Sequence, residues 1–143
     1  MAKAQRSEVF DIDIQKFYNV IIDYKSYPDF VLGVNAIEVL EQDDNGARVK
    51  YSIDMIKKLN YTLKLTHKAP NSVSWTFESG DLFKLNQGGW ELKDLGGGKT
   101  EVTYSIELDI KGFIPGSGMI VNKLTETSLP SMMKSYFERA KSL

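Results

Sequence analysis

The sequence predicts an α+β fold: a curved antiparallel β-sheet wrapped around a long C-terminal α-helix, with two short helices after the first strand. Three observations carry this reading. Apolar residues recur at helical spacing early in the chain, at Ile14, Phe17, Tyr18, Ile21 and Ile22. From about residue 34 to 110 the period is two, so successive side chains point to opposite faces of strands. After Gly118 the period is helical again to the C-terminus. A run of strands followed by one long helix places that helix on the apolar face of the sheet.

Residues 3–11 alternate loosely and form the first strand. Asp11 or Asp13 then caps a helix, because a short carboxylate accepts from the free N–H groups of the first turn. Pro28 restricts Tyr27 and ends that helix, and residues 27–32 make a second short helical turn. The next strand places Ile37, Val39 and Glu41 on one face. Asp43-Asp44-Asn45-Gly46 is a hairpin turn in which Asn-Gly supplies positive φ. Ala47, Val49, Tyr51, Ile53 and Met55 then alternate with Arg48, Lys50, Ser52 and Asp54.

A turn near Lys57-Lys58-Leu59-Asn60 leads into Tyr61, Leu63, Leu65 and His67, and Pro70-Asn71 turns the chain again. Val73, Trp75 and Phe77 share the face of the following strand. Residues 82–94 form another, and Gly88-Gly89 in its middle predicts a bulge or sharp bend. Leu95-Gly96-Gly97-Gly98-Lys99 is a turn. Val102, Tyr104, Ile106, Leu108 and Ile110 give the cleanest alternation of all. Met119, Ile120, Leu124, Leu129, Met132, Met133, Tyr136 and Phe137 make the apolar stripe of the last helix, which Pro130 kinks or interrupts.

The chain has 143 residues, enough for one domain with its own core, and we read residues 1–143 as that single domain. Hydrophobic residues are 42% and charged residues 26%, with a formal net charge of -1, so the basic excess of a nucleic-acid binder is missing. No cysteine is present, which removes disulfides, thiolate metal sites and cysteine nucleophiles. The first residues lack the apolar core of a signal peptide, and no run reaches the ~20 apolar residues that span a bilayer. A cytoplasmic location is the resulting expectation.

One sheet face is charged; the other carries Tyr51, Ile53, Met55, Leu63, Leu65, Trp75, Phe77, Trp90, Tyr104, Ile106 and Leu108. Two readings are open for it: a packed core, or the wall of a ligand cavity. Met119, Met132 and Met133 on the opposing helix, with Ile120 and Leu124, favour a surface that closes around variable guests, since methionine adapts its shape. Tyr51, Tyr104 and Tyr136 bring polar tips that want partners, and ligand pockets are apolar with a few placed polar groups. Phe113, flanked by Gly112, Gly116 and Gly118, reads either as a gate or as an ordinary strand-to-helix connection.

Taken together, Asp23-Tyr24-Lys25-Ser26-Tyr27-Pro28-Asp29-Phe30 and Val34-Asn35-Ala36-Ile37-Glu38-Val39-Leu40-Glu41 resemble the START-like, helix-grip superfamily. Within it the chain is similar to the polyketide cyclase/dehydrase and coenzyme Q-binding branch. Ser74-Trp75-Thr76-Phe77, Gly80-Asp81-Leu82-Phe83-Lys84, Gly89-Trp90-Glu91-Leu92, Thr100-Glu101-Val102-Thr103-Tyr104 and Ile114-Pro115-Gly116 extend the resemblance over nearly the whole chain. It implies a sheet gripping a C-terminal helix with a cavity between them, and an apolar ligand such as a lipid, quinone or polyketide. Some such proteins are cyclases, and one branch is ribosome-associated. The chain departs from the quinone-binding branch after Phe30, reading Val31-Leu32-Gly33-Val34 where that branch has Pro-Trp-Cys.

Three functions follow: a carrier or sensor of an apolar small molecule, a cyclase or dehydratase, or an interaction module such as a ribosome-associated protein. No catalytic residue, cofactor or metal is expected. His67 is the single histidine and reads as the wet end of a strand rather than a catalytic base. A three-histidine zinc site is therefore impossible. Asp43, Asp44 and Glu41 read as a solvated hairpin tip. Met55, Ile56 and Leu59 beside Lys57-Lys58 give either a solvated turn or a transient membrane contact. Oligomeric state is not readable from the sequence.

Overall fold

A computed structural model describes residues 2–31, 33–54, 58–81, 83–110 and 129–143. The elements are β1 (Ala2–Phe10), α1 (Ile14–Ile21), a 3₁₀ turn (Tyr24–Ser26), α2 (Tyr27–Phe30), β2 (Val34–Gln42), β3 (Gly46–Asp54) and β4 (Lys58–Lys68). They continue as β5 (Ser72–Gly80), β6 (Phe83–Gly96), β7 (Lys99–Ile110) and α3 (Leu129–Ser142). The strands form one seven-stranded sheet in the order β1-β7-β6-β5-β4-β3-β2, with every pairing antiparallel. Consecutive strands from β2 to β7 pair with one another, and β1 pairs with β7, so β1 and β2 are the edges.

Local chemistry sets the element ends. Asp13 caps α1, its carboxylate accepting from the Gln15 N–H at 3.1 Å. The Thr100 hydroxyl, fully buried, donates to the Ile12 carbonyl at 2.7 Å and ties the start of α1 to β7. The β6–β7 turn is built on three glycines with φ of 84°, 63° and 78° at Gly96, Gly97 and Gly98, a region that L side chains rarely enter. Inside the sheet the core runs through Val49, Leu63, Leu65, Val73, Trp90 and Val102, and α1 and α3 close it with Phe17, Met133 and Tyr136.

Several expectations change in the structure. Asp43 organises the β2–β3 turn by accepting from the N–H groups of Asn45 (2.8 Å) and Gly46 (3.0 Å). Gly46 is not in the positive-φ region; a Cβ there would lie 2.3 Å from the Leu65 carbonyl oxygen, so close strand approach is what requires glycine. Glu41 does not share the face of Val39. A register shift between Val39 and Glu41 reverses the parity, and Glu41 pairs with Arg48 on the outer face at 3.3 Å.

Gly88 and Gly89 carry no register shift against β7; the shifts in β6 fall between Phe83 and Leu85 and between Asp94 and Gly96. A Cβ on Gly88 would sit 2.1 Å from the Ser105 carbonyl oxygen, so these glycines let the strands approach. Pro130 is the second residue of the last described helix, Leu129–Ser142, and the residues before Leu129, on which its effect on the helix depends, lie outside the described residues. The earlier stretch of the predicted helix lies outside the described residues. Leu59 is buried at 2% exposure, so it is not offered to a membrane surface.

His67 is likewise not at a wet strand end. It is 7% exposed, and its Nε2 lies 2.7 Å from the Tyr24 hydroxyl. Burial lowers its pKa below the ordinary 6.5, opposed by interactions with Asp43. The neutral ring therefore accepts from the Tyr24 O–H, fastening the 3₁₀ turn to β4. A folded pKa below the unfolded value means that protons favour unfolding. Stability is fully present above about pH 6.5 and falls as pH drops from there toward the lowered folded value. Thermal melting between about pH 7.5 and 5 shows this fall, and His67→Phe makes it shallower; equal slopes in the two proteins would contradict the role.

Candidate functional site

A hollow of about 160 Å³ lies between the inner sheet face, α2 and α3. Strand parity builds most of its wall. Tyr51 comes from β3, Tyr61, Leu63 and Leu65 from β4, and Val73 and Trp75 from β5. Asn86 and Trp90 come from β6, and Tyr104 and Ile106 from β7. Met132 and Tyr136 of α3 cover the opening of the grip, and Ile21, Tyr27, Val31 and Val34 close the side at α1, α2 and β2.

Aromatic rings brace this wall. Tyr136 lies 4.7 Å from Trp90, 5.2 Å from Phe30 and 5.5 Å from Tyr27, centroid to centroid. Trp90 in turn meets Tyr104 edge-on at 4.7 Å, and Tyr51 stacks on Tyr61 at 5.2 Å. Offset and edge-on pairs of this kind add stability beyond area burial. Arg139 holds its guanidinium 5.5 Å from the Phe30 ring, outside the hollow.

Among the described residues the polar content of the lining is small and uncharged. Burial raises the pKa of Tyr51, Tyr61, Tyr104 and Tyr136 well above that of free tyrosine, so all four remain neutral phenols. The Tyr27 hydroxyl donates to the Ile21 carbonyl. Among the described residues, the hydroxyls of Tyr51, Tyr61 and Tyr104 have no hydrogen-bond partner. The Trp75 indole N–H donates to Asn86 Oδ1 at 3.0 Å. Among the described residues, none that lines the hollow is an acid, a histidine, a lysine or an arginine, and no group of metal-ligating side chains occurs. The described wall can hold and orient a neutral guest, and its tyrosines stay protonated near neutral pH.

Of the residues expected at a ligand site, Tyr51, Leu63, Leu65, Trp75, Trp90, Tyr104, Ile106, Met132 and Tyr136 line the hollow. Ile53, Leu108 and Met133 are buried but are not part of its lining, and Phe77 is half-buried, packing edge-on against Phe83 at 6.3 Å. Met55, Phe113, Met119, Ile120 and Leu124 lie outside the described residues. Sequence reasoning missed Ile21, Tyr27, Val31, Val34, Tyr61, Val73 and Asn86. Asn86 carried a usable signal: it shares parity with Trp90 and Leu92, a polar residue at an inward position.

A wider depression of about 580 Å³ includes outward-facing Lys3, Gln5, Ser74, Thr76, Gln87 and Glu107. Its charged groups Lys3 and Glu107 already pair at 2.9 Å, and the Gln87 amide donates to Glu107 at 2.9 Å. Among the described residues no helix is long and apolar enough to cross a membrane.

A curved antiparallel sheet closed by a C-terminal helix, with two short helices after β1, defines a START-type helix-grip protein. Residues 11–136 match the family described as polyketide cyclase / dehydrase and lipid transport, and the chain belongs to that family. It is 24% identical over 140 residues to the ribosome association toxin RatA of Pseudomonas aeruginosa, covering 97% of this chain and 95% of that protein. A START superfamily protein from Mycobacterium smegmatis superposes with a TM-score of 0.84 at 14% identity, covering 99% of both chains. The Zhui aromatase/cyclase from Streptomyces sp. R1128 superposes with a TM-score of 0.71 at 15% identity, covering 98% of this chain and 86% of that one. These structures share the fold.

Proposed function

We propose that this protein binds a hydrophobic small molecule, lipid, quinone or polyketide-like in character, in the hollow between the sheet and α3, as a carrier or sensor. The observation that carries the reading is an aromatic-rich space of about 160 Å³ at the centre of the grip, whose described lining residues are all uncharged. Its driving force is burial of apolar ligand surface, roughly 25 cal/mol per Å². An apolar cavity on the order of 150 Å³ holds one benzene-sized guest. A compact ring system, or one segment of a longer chain, therefore fits without rearranging the wall. Drug-sized pockets run about 300–1,000 Å³, so a bulkier ligand requires the wall to move. Native mass spectrometry of the purified protein, before and after organic extraction, tests the proposal. A mass increment lost on extraction and restored by adding back the extract is the expected result. No increment, together with no uptake from a panel of small aromatics, would overturn it.

A second reading is association with the ribosome. Its support is the similarity to the ribosome association toxins RatA of Pseudomonas aeruginosa and Vibrio cholerae, the latter 27% identical over 145 residues. Against it stands the formal net charge of -1, which supplies little of the cation clustering that rRNA binding uses. Co-sedimentation with ribosomal particles at physiological salt supports this reading, and migration with the free protein fraction at all salt concentrations removes it.

A further inference from the structure

The Trp75–Asn86 pair says which kind of guest oxygen the hollow is built to meet. An indole nitrogen can only donate, so the Asn86 atom 3.0 Å away must be the carbonyl Oδ1. That contact settles the orientation of the amide. The Nδ2 group is then the free end of a side chain that is 4% exposed and lines the hollow. Among the described residues, Nδ2 donates to no protein acceptor. It is also not sealed away: the buried side-chain nitrogen with neither partner nor accessible surface is Arg139 Nε. Gly88, the next inward position on β6, puts no side chain beside Asn86.

An unmet donor in an apolar surround is costly, and a guest that supplies an acceptor relieves that cost. A pure hydrocarbon leaves the donor unmet. A carboxylate brings a charge into a wall whose described residues carry no cation, which burial disfavours. We infer that Asn86, held in one orientation by Trp75, is a specificity-determining donor that selects uncharged ligands bearing a carbonyl-type acceptor oxygen. This rests on the binding function proposed above and narrows its ligand class.

Calorimetric titration with 1-indanone, indane and indane-1-carboxylate tests it on the intact protein. Indanone and indane share one bicyclic skeleton and differ in the carbonyl. The expected result is that indanone binds about tenfold more tightly than indane, the ratio one net hydrogen bond supplies, and that the carboxylate binds more weakly than both. Asn86→Leu lowers the indanone-to-indane ratio toward one while indane binding persists. Equal affinities in the unsubstituted protein, which needs no variant to fold, overturn the inference and leave the binding function standing. An unchanged ratio in Asn86→Leu, or a carboxylate that binds as well as indanone, also overturns it. Failure of all three probes to bind overturns both the inference and the function on which it rests.

Discussion

Phe17→Ala lowers the unfolding free energy by about 3–5 kcal/mol, the range for deleting a fully enclosed phenylalanine ring. Phe17 has no exposed surface. Its ring lies 5.8 Å from Phe10 of β1, 5.8 Å from Trp90 of β6 and 6.5 Å from Tyr136 of α3. One side chain on α1 therefore joins the sheet edge, the sheet centre and the covering helix. Its removal leaves a void that those three elements cannot close together, because each is fixed by its own pairing. Phe10 also stacks on Phe137 at 4.7 Å, so loosening the Phe10–Phe17 contact weakens the seat of α3. Urea unfolding followed by far-ultraviolet circular dichroism measures the loss. A decrease below about 1 kcal/mol would show that α1 is not a principal support of the grip.

Leu63→Trp abolishes guest binding, at least about 100-fold, while leaving stability within about 1 kcal/mol of the starting protein. The two halves of this expectation separate a hollow from a packed core. Leu63 faces inward from β4, opposite Val49 and Phe77 in register, and lines the space beside Trp90 and Tyr136. In a solid interior the added ring forces side chains off their rotamers and costs about 1–3 kcal/mol. Here the indole enters space already present and gains dispersion contacts there. Denaturant titration and ligand calorimetry on the same preparation read both halves. Destabilisation by about 2 kcal/mol or more would show that the interior is full.

Much of the architecture was legible because the period of apolar residues changes twice along the chain. Strand parity then assigned Tyr51, Leu63, Leu65, Trp75, Trp90, Tyr104 and Ile106 to the inner face, and these line the hollow. Parity says which face a residue occupies, not how far along the strand the hollow extends. Ile53, Phe77 and Leu108 have the inward parity yet lie outside the lining. A bulge is invisible to the pattern, which is why Glu41 was placed on the wrong face.

The burial of His67 has a tertiary cause that strand parity does not carry. Tyr24 arrives from a segment distant in sequence and covers the end of β4. Tyr27, Val31 and Val34 looked like a connection between helix and sheet, but the connection itself folds over the hollow as one of its walls. An apolar pattern does not single out Asn86, although its polarity at an inward position is the more specific signal.

Everything functional here depends on unfilled apolar space at the heart of the grip. A crystal structure determined under xenon pressure examines that space directly, since xenon occupies dry apolar cavities and leaves packed interiors empty. The account predicts a xenon peak bounded by Leu63, Leu65, Val73, Trp90 and Tyr136. Side chains meeting across that position, with no xenon between them, would contradict it.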